Sequence, residues 1–272
     1  MHDPVGRGYQ AVDDWDRHWL DFSATSETAP ATLYRRRLAF RLLNIHPRDA
    51  SARMLEIGSG TGGFAEEFCA RLPQTRFLGV DLSRAGVALS ARRLPAARFI
   101  CRDLLQPARP EHTLDFGATH ALCSEVLEHL NDPVLLLRHA AEYMAPGCKL
   151  VVTVPGGWRN AFDAHIGHRR HYTPADLAAL LERAGFTIES LFGAGFPFFN
   201  LYRLLTTLRG RRLIRDVSGP PGWLVRAGGV VFGALFRLNL MHLWGWQTLA
   251  VARLPSHDRR CGATARPRFG LG

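Results

Sequence analysis

The chain reads as an α/β protein with a mostly parallel sheet covered by helices on both faces, and three observations predict it. Short apolar runs of strand type alternate with helix-type periodicity from about residue 50 onward. A glycine-rich turn joins the first of these strands to its helix, and acidic residues end three successive strands. The 272 residues, 47% of them hydrophobic, suffice for one large domain with an embellished C-terminal half. We expect a helical segment over 1–50 and a central domain over 51–195 and 245–255. A helical insertion over 196–244 and a loose tail over 256–272 complete the division.

Residues 10–45 read as helical, with Trp15, Trp19, Leu20 and Phe22 in an early stretch and Leu33 to Leu43 in a later one. The polar, proline-containing run from Thr25 to Ala31 separates them. Met54 to Ile57 is the first strand, and Phe64 to Leu72 the helix after its glycine turn. Arg76 to Val80, Arg98 to Cys101, Ala118 to Cys123 and Cys148 to Val154 follow as strands, with a helix through Ala85 to Leu94. Asp132 and Pro133 supply a cap and a first-turn proline for another helix, and Thr173, Pro174 and Asp176 repeat that grammar. Phe186 to Leu191 and Gly245 to Ala252 are the remaining strands. No internal repeat or low-complexity tract is present.

The formal charge of +10 is carried almost wholly by arginine, Lys149 being the single lysine. It favours phosphates, acidic ligands or an anionic membrane surface. No nucleic-acid module accompanies it, so nucleic acid is not the expected partner. The five cysteines are scattered without C-x-x-C pairs, which fits free thiols in a reducing cytoplasm. The N-terminal MHDPVGRGYQ lacks the apolar core of a secretory signal.

Glu56-Ile57-Gly58-Ser59-Gly60-Thr61-Gly62-Gly63 lies between a strand and a helix, where glycines allow a tight turn and close backbone approach to a ligand. Nicotinamide-binding proteins share such glycines, but Glu56 would repel a pyrophosphate placed there. An ammonium and a sulfonium, as in S-adenosylmethionine, suit it instead. About 20 residues on, Asp81 ends the second strand, where an acid binds ribose hydroxyls. Asp103 ends the third, where the adenine amino group would lie.

Met54 to Ala65, Val80-Asp81, Asp103, Ser124 to Pro133 and Ala145 to Pro155 resemble, in order and spacing, the successive motifs of class I S-adenosylmethionine-dependent methyltransferases. The resemblance implies a Rossmann-like seven-stranded sheet, ordered 3-2-1-4-5-7-6 with the last strand reversed, and an N-terminal helical lid over the cofactor. It implies a donor site of Glu56, Gly58, Ser59, Gly60, Thr61, Gly62, Asp81 and Asp103, with Leu82 and Leu104 flanking the nucleoside and Ser124 near the methyl.

At the methyl-transfer end, Glu125, Glu128 and His129 would share one face of a helical turn and could hold a divalent cation. His165, His168, Arg169, Arg170, His171 and Tyr172 enter from the loop after the fifth strand. This pairing resembles ubiquinone-pathway O-methyltransferases and the small-RNA 3′-end methyltransferases, and the nearby sequence resembles bacterial glycan and secondary-metabolite enzymes. The resemblance implies Mg²⁺ or Mn²⁺ on Glu125, Glu128, His129 and His168. The alternatives are a metal-free general base at His129, His168 or His171, or a capping acid and half-buried histidines with no chemistry. His165, His168 and His171 also have zinc-like spacing, without a cysteine partner. Arg169, Arg170 and Tyr172 either contact the acceptor or pack the loop.

The expected reaction is methylation of a hydroxyl on a small-molecule or glycan-like acceptor, with N- or C-methylation as the alternative. A nicotinamide oxidoreductase and a non-catalytic cofactor-binding partner are the readings from other classes. In the insertion, Asn200 to Arg215 reads as a basic helix and Trp223 to Trp244 as an apolar one, with Arg226 and Arg237 on one face. It would serve as an acceptor lid, a dimer contact or a peripheral membrane element.

Overall fold

The structure is a computed structural model that describes residues 14–17, 19, 27–108, 115–160, 163–164, 166–209, 223–256 and 268–269. Its strands are β1 (Arg53–Ile57), β2 (Arg76–Asp81), β3 (Arg98–Cys101), β4 (Ala118–Ser124), β5 (Met144–Pro155), β6 (Thr187–Ala194), β7 (Gln247–Arg253) and β8 (Arg268–Phe269). They form a sheet in the order 3-2-1-4-5-7-6-8, the first seven in the expected sequence. β7 runs antiparallel to both β5 and β6. β8 pairs in parallel with the edge of β6, so two residues of the expected tail join the sheet.

The central strands are apolar because both their faces are covered. In β1, Met54, Leu55 and Ile57 are buried. One face packs against α1 (Pro30–Leu43) and α2 (Gly63–Arg71), where Leu43, Phe64, Phe68 and Phe77 cluster. The other packs against α4 (Pro133–Ala140) and α5 (Pro174–Arg183), with Leu137, Tyr143, Leu177 and Leu181 at the centre. Phe68, with no exposed surface, stacks among three rings, and its truncation to alanine costs about 3–5 kcal/mol.

Caps set the helix starts. Ser83 Oγ accepts the Gly86 N–H to open α3 (Arg84–Arg93), and Asp132 Oδ1 accepts the Leu135 N–H to open α4. Thr173 and Asp176 form the reciprocal capping box of α5.

The insertion forms α6 (Phe198–Arg209) and α7 (Trp223–Leu235). Phe199 and Phe236 pack with Tyr34 and Leu38 of α1, so the insertion rests on the N-terminal helix. α7 is shorter than the apolar run read from sequence. A 3₁₀ turn at Phe236–Leu238 ends it, and Leu240 then pairs with Phe196 as a short bridge. Arg237 lies in that turn rather than on a helical face shared with Arg226. Of the early helical stretch, Trp15–Arg17 and Trp19 are helical, whereas Leu20 and Phe22 lie outside the described residues.

Candidate active site

A cavity of about 530 Å³ opens at the carboxyl ends of β1, β2 and β4, beneath α1 and α6. This is where an open parallel sheet places its ligands. Gly58 takes φ +76° and donates its N–H to the Val80 carbonyl. A Cβ there would come within 2.3 Å of the Val126 side chain. Gly60, at φ +51°, turns its backbone against the Trp19 ring, where a Cβ would sit 2.7 Å away. Only glycine fits either position. Gly62 serves differently: it is the left-handed cap of α2 and does not line the cavity.

Glu56 is buried beneath this loop, and its Oε2 has no hydrogen-bond partner. Burial pushes its pKa well above the usual carboxylate range, opposed in part by Arg36. A buried carboxylate with an unmet acceptor calls for a cationic ligand, so the residues fit the ammonium of S-adenosylmethionine. The nearby Ser59 Oγ is also unpartnered.

Asp81 Oδ2 accepts the Gly60 N–H at 2.7 Å and Oδ1 the Ser83 N–H at 2.8 Å. The carboxylate therefore ties two loops together while each oxygen keeps a lone pair for a ribose hydroxyl. Burial raises its pKa. Asp103 lines the cavity and accepts the Leu105 N–H. Leu82, Leu104, Thr61 and Ser124 also line it.

The N-terminal helices bind this donor end through groups the sequence did not single out. Asp16 Oδ1 accepts from Ser83 Oγ at 2.6 Å and from the Ala85 N–H at 3.0 Å. Glu27 accepts from Thr61 Oγ1 and, at 2.7 Å, from Arg93. Trp15 meets the His129 ring edge-on at 4.7 Å, reaching across to the acceptor end.

At that end the expected four-residue set divides. Glu125 has φ +57°, and Leu127–His129 form a 3₁₀ turn, so the shared helical face does not exist. Glu125 lines the cavity but is committed elsewhere, accepting from Gln247 Nε2 at 2.8 Å, with Arg35 Nε at 3.6 Å. Glu128, His129 and His168 do come together, their ligand atoms within 4.8 Å of one another. Glu128 is wholly buried, and neither of its oxygens has a hydrogen-bond partner. Burial, reinforced by Glu125, raises its pKa well above the usual range. Burial and the neighbouring His129 push His168 down to about 2.

A relay fixes the His168 ring. His171 Nδ1 lies 3.1 Å from the Gly157 carbonyl, which can only accept, so that nitrogen carries the proton. Burial lowers the His171 pKa, and in the neutral ring Nε2 accepts from His168 Nδ1 at 3.2 Å. His168 Nε2 keeps its lone pair, 3.9 Å from Glu128 Oε1. His171 thus stands behind His168 instead of lining the cavity.

Behind both rings lies Asp163, wholly buried and held by both Arg203 guanidinium nitrogens at 2.8 and 2.9 Å. Arg169 bonds the carbonyl of His129, Arg170 reaches the carbonyl of Asn131, and Tyr172 Oη donates to the Leu127 carbonyl. These three pack the loop. His165 lies outside the described residues.

A mixed sheet in which β7 alone is reversed, and a cation-seeking loop at its carboxyl edge, define a class I methyltransferase. Residues 30–191 match the family model described as "Methyltransferase domain", and the chain belongs to that family of S-adenosylmethionine-dependent enzymes. It is 33% identical over 232 residues to the trans-aconitate 2-methyltransferase of Methylobacterium nodulans, covering 84% of this chain and 73% of that one. It is 29% identical over 177 residues to the ubiquinone biosynthesis O-methyltransferase of Xanthomonas axonopodis pv. citri, covering 57% and 71%. Among solved structures, the fold is similar to phosphoethanolamine N-methyltransferase 2 of Haemonchus contortus (TM-score 0.57, 16% identity, 93% of this chain and 62% of that one). It is also similar to geranyl diphosphate C-methyltransferase of Streptomyces coelicolor A3(2) (TM-score 0.52, 16% identity, 81% and 75%). Enzymes named for N- and C-methylation share this fold, so the acceptor must be argued from the site.

Proposed function

We propose that the enzyme methylates a hydroxyl oxygen of a small-molecule or glycan-like acceptor, held at a divalent cation on Glu128, His129 and His168. The observation that carries this is Glu128: fully buried, unbonded at both oxygens, and facing two imidazoles at 4.0 and 3.9 Å. A carboxylate and two neutral histidines suit Mn²⁺ or a similar cation, and Mg²⁺ less well. Such a cation supplies Lewis acidity that lowers the pKa of a bound hydroxyl.

Bound S-adenosylmethionine supplies an electrophilic methyl on a sulfonium. The chain's own work is positional. Glu56 and the Gly58–Gly60 turn hold the donor's amino-acid end, Asp81 its ribose, and Trp15 and Trp19 exclude water from above. The His171 relay presents the His168 lone pair.

The relatives' names offer two oxygen acceptors. Arg35 and Arg203 line the cavity but already face Glu125 and Asp163. That favours a hydroxyl acceptor over a polycarboxylate such as trans-aconitate. The test is methyl transfer from labelled S-adenosylmethionine to a catechol and to trans-aconitate, with chelator and with added Mn²⁺. Transfer to the catechol that chelator abolishes and Mn²⁺ restores supports the reading. Full activity in chelator removes the cation, and exclusive transfer to trans-aconitate removes the hydroxyl.

A further inference from the structure

The helix that walls the acceptor end has a second, unused apolar face. Phe199, Tyr202, Arg203 and Thr206 of α6 line the cavity. Leu201, Leu204, Leu205 and Leu208 recur at the same 3–4 residue spacing, offset by about half a turn, and all four are exposed, Leu208 by 74%. An ordinary surface helix puts polar groups on that side.

The turn after α7 extends the same surface. Asn200 donates to the Trp244 carbonyl and accepts from the Trp246 N–H, holding the 240–246 turn against α6. There Leu240 and Trp244 are 58% and 67% exposed. Exposed leucine and tryptophan gathered around one helix are far from the scattered apolar residues of an ordinary surface.

Charge says what covers this face. Residues 196–246 contain seven arginines and a single acid, Asp216; with Arg203 committed to Asp163 in the cavity wall, six arginines and one acid remain. An apolar stripe on a segment of strongly positive sequence charge matches an anionic lipid interface, where leucine and tryptophan enter the acyl boundary and arginines meet phosphates. A second copy would bring the same positive charge against itself. No helix among the described residues is long and apolar enough to cross a membrane. At 13 residues α7 spans about 20 Å, short of the roughly 30 Å hydrocarbon core.

We infer that the outer face of α6 and the adjoining 240–246 turn seat this enzyme on an anionic phospholipid surface, with the acceptor end of the cavity directly behind the contact. An amphipathic acceptor dissolved in the bilayer would then reach the cavity by passing α6, without leaving the interface.

The test is flotation of the full chain with vesicles of phosphatidylglycerol and phosphatidylcholine, against vesicles of phosphatidylcholine alone. The wild type binds the anionic vesicles, and 0.5 M NaCl weakens that binding because the arginine contribution is screened. The double variant Leu204→Glu/Leu208→Glu, altered only at exposed positions, binds them about tenfold or more weakly. Its affinity for S-adenosylhomocysteine and its circular dichroism stay at wild-type values, which shows that the fold and donor site are intact. No flotation of the wild type, or equal flotation of the variant, overturns the inference. A wild-type dimer that this variant dissolves, without vesicle binding, assigns the face to a second copy and overturns it equally. Vesicle binding needs no methyl transfer, so its outcome is independent of the acceptor and cation readings above.

Discussion

Glu128 Oε1 lies 3.9 Å from His168 Nε2, and burial shifts the two groups' pKa values in opposite directions, Glu128 upward and His168 downward, each favouring its neutral form. Two groups that would pair as ions at a surface here stand apart with burial opposing the charge on each, and the consequences are measurable.

His168 makes stability depend on pH. Its folded pKa of about 2 lies far below the ordinary 6.5, so the unfolded chain binds a proton that the folded chain refuses. The stability is fully present above about 6.5 and is lost as pH falls below it. In chelator, the Tm should decline from pH 7 to 5, and His168→Asn should flatten the decline. An unchanged slope in the variant contradicts the buried neutral imidazole.

Glu128 carries the reverse sign. Its raised folded pKa means that stability is greatest below about 4.5 and is eroded as pH rises toward neutral. Glu128→Gln removes that penalty, so at pH 7.5 in chelator its Tm should rise by about 2–4 °C for each kcal/mol relieved. The same variant should lose Mn²⁺ binding in titration calorimetry. A lower Tm with Mn²⁺ binding retained would show that Glu128 is a structural acid.

Asp81 joins two loops as well as facing the ribose. Asp81→Ala leaves the Gly60 and Ser83 N–H groups unbonded at a cost of about 1–3 kcal/mol. Chemical denaturation should record that loss, and calorimetry should show weakened S-adenosylhomocysteine binding. Unchanged affinity contradicts its assignment to the donor.

The relay predicts a spectroscopic signature. In ¹⁵N spectra His168 should show a protonated Nδ1 and a lone-pair Nε2. His171→Gln, whose amide oxygen can still accept, should keep that pattern and most of kcat. His171→Leu should mix the tautomers and lower kcat with little change in the KM for S-adenosylmethionine. Identical spectra in all three proteins would dismiss the relay.

The first seven strands were legible because each is a short apolar run bounded by turn or cap signals, such as Asp132-Pro133 and Thr173-Pro174, whereas the two-residue β8 carries no such signal. Those signals act locally, so spacing alone places them. The donor loop was legible for a similar reason: Glu56, the glycines and Asp81 come from adjacent parallel strands in register. The acceptor end was not. Reading Glu125 onto a helical face assumed α geometry, and its φ of +57° breaks that periodicity. Asp163, Gln247 and Glu27 meet the site from distant segments, and no local pattern announces such contacts. The run Trp223 to Trp244 reads as one helix because apolar composition cannot separate helix from an apolar turn.

The central claim is that the first turn of the sheet receives a cation through Glu56. Its most direct test is paired calorimetry of S-adenosylhomocysteine and NADH on the wild type and on Glu56→Gln. The wild type should bind the homocysteine ligand and not NADH, and the variant should bind that ligand about 10–100-fold more weakly, or about 1.4–2.7 kcal/mol. NADH binding by the wild type, with S-adenosylhomocysteine left unbound, would contradict the account.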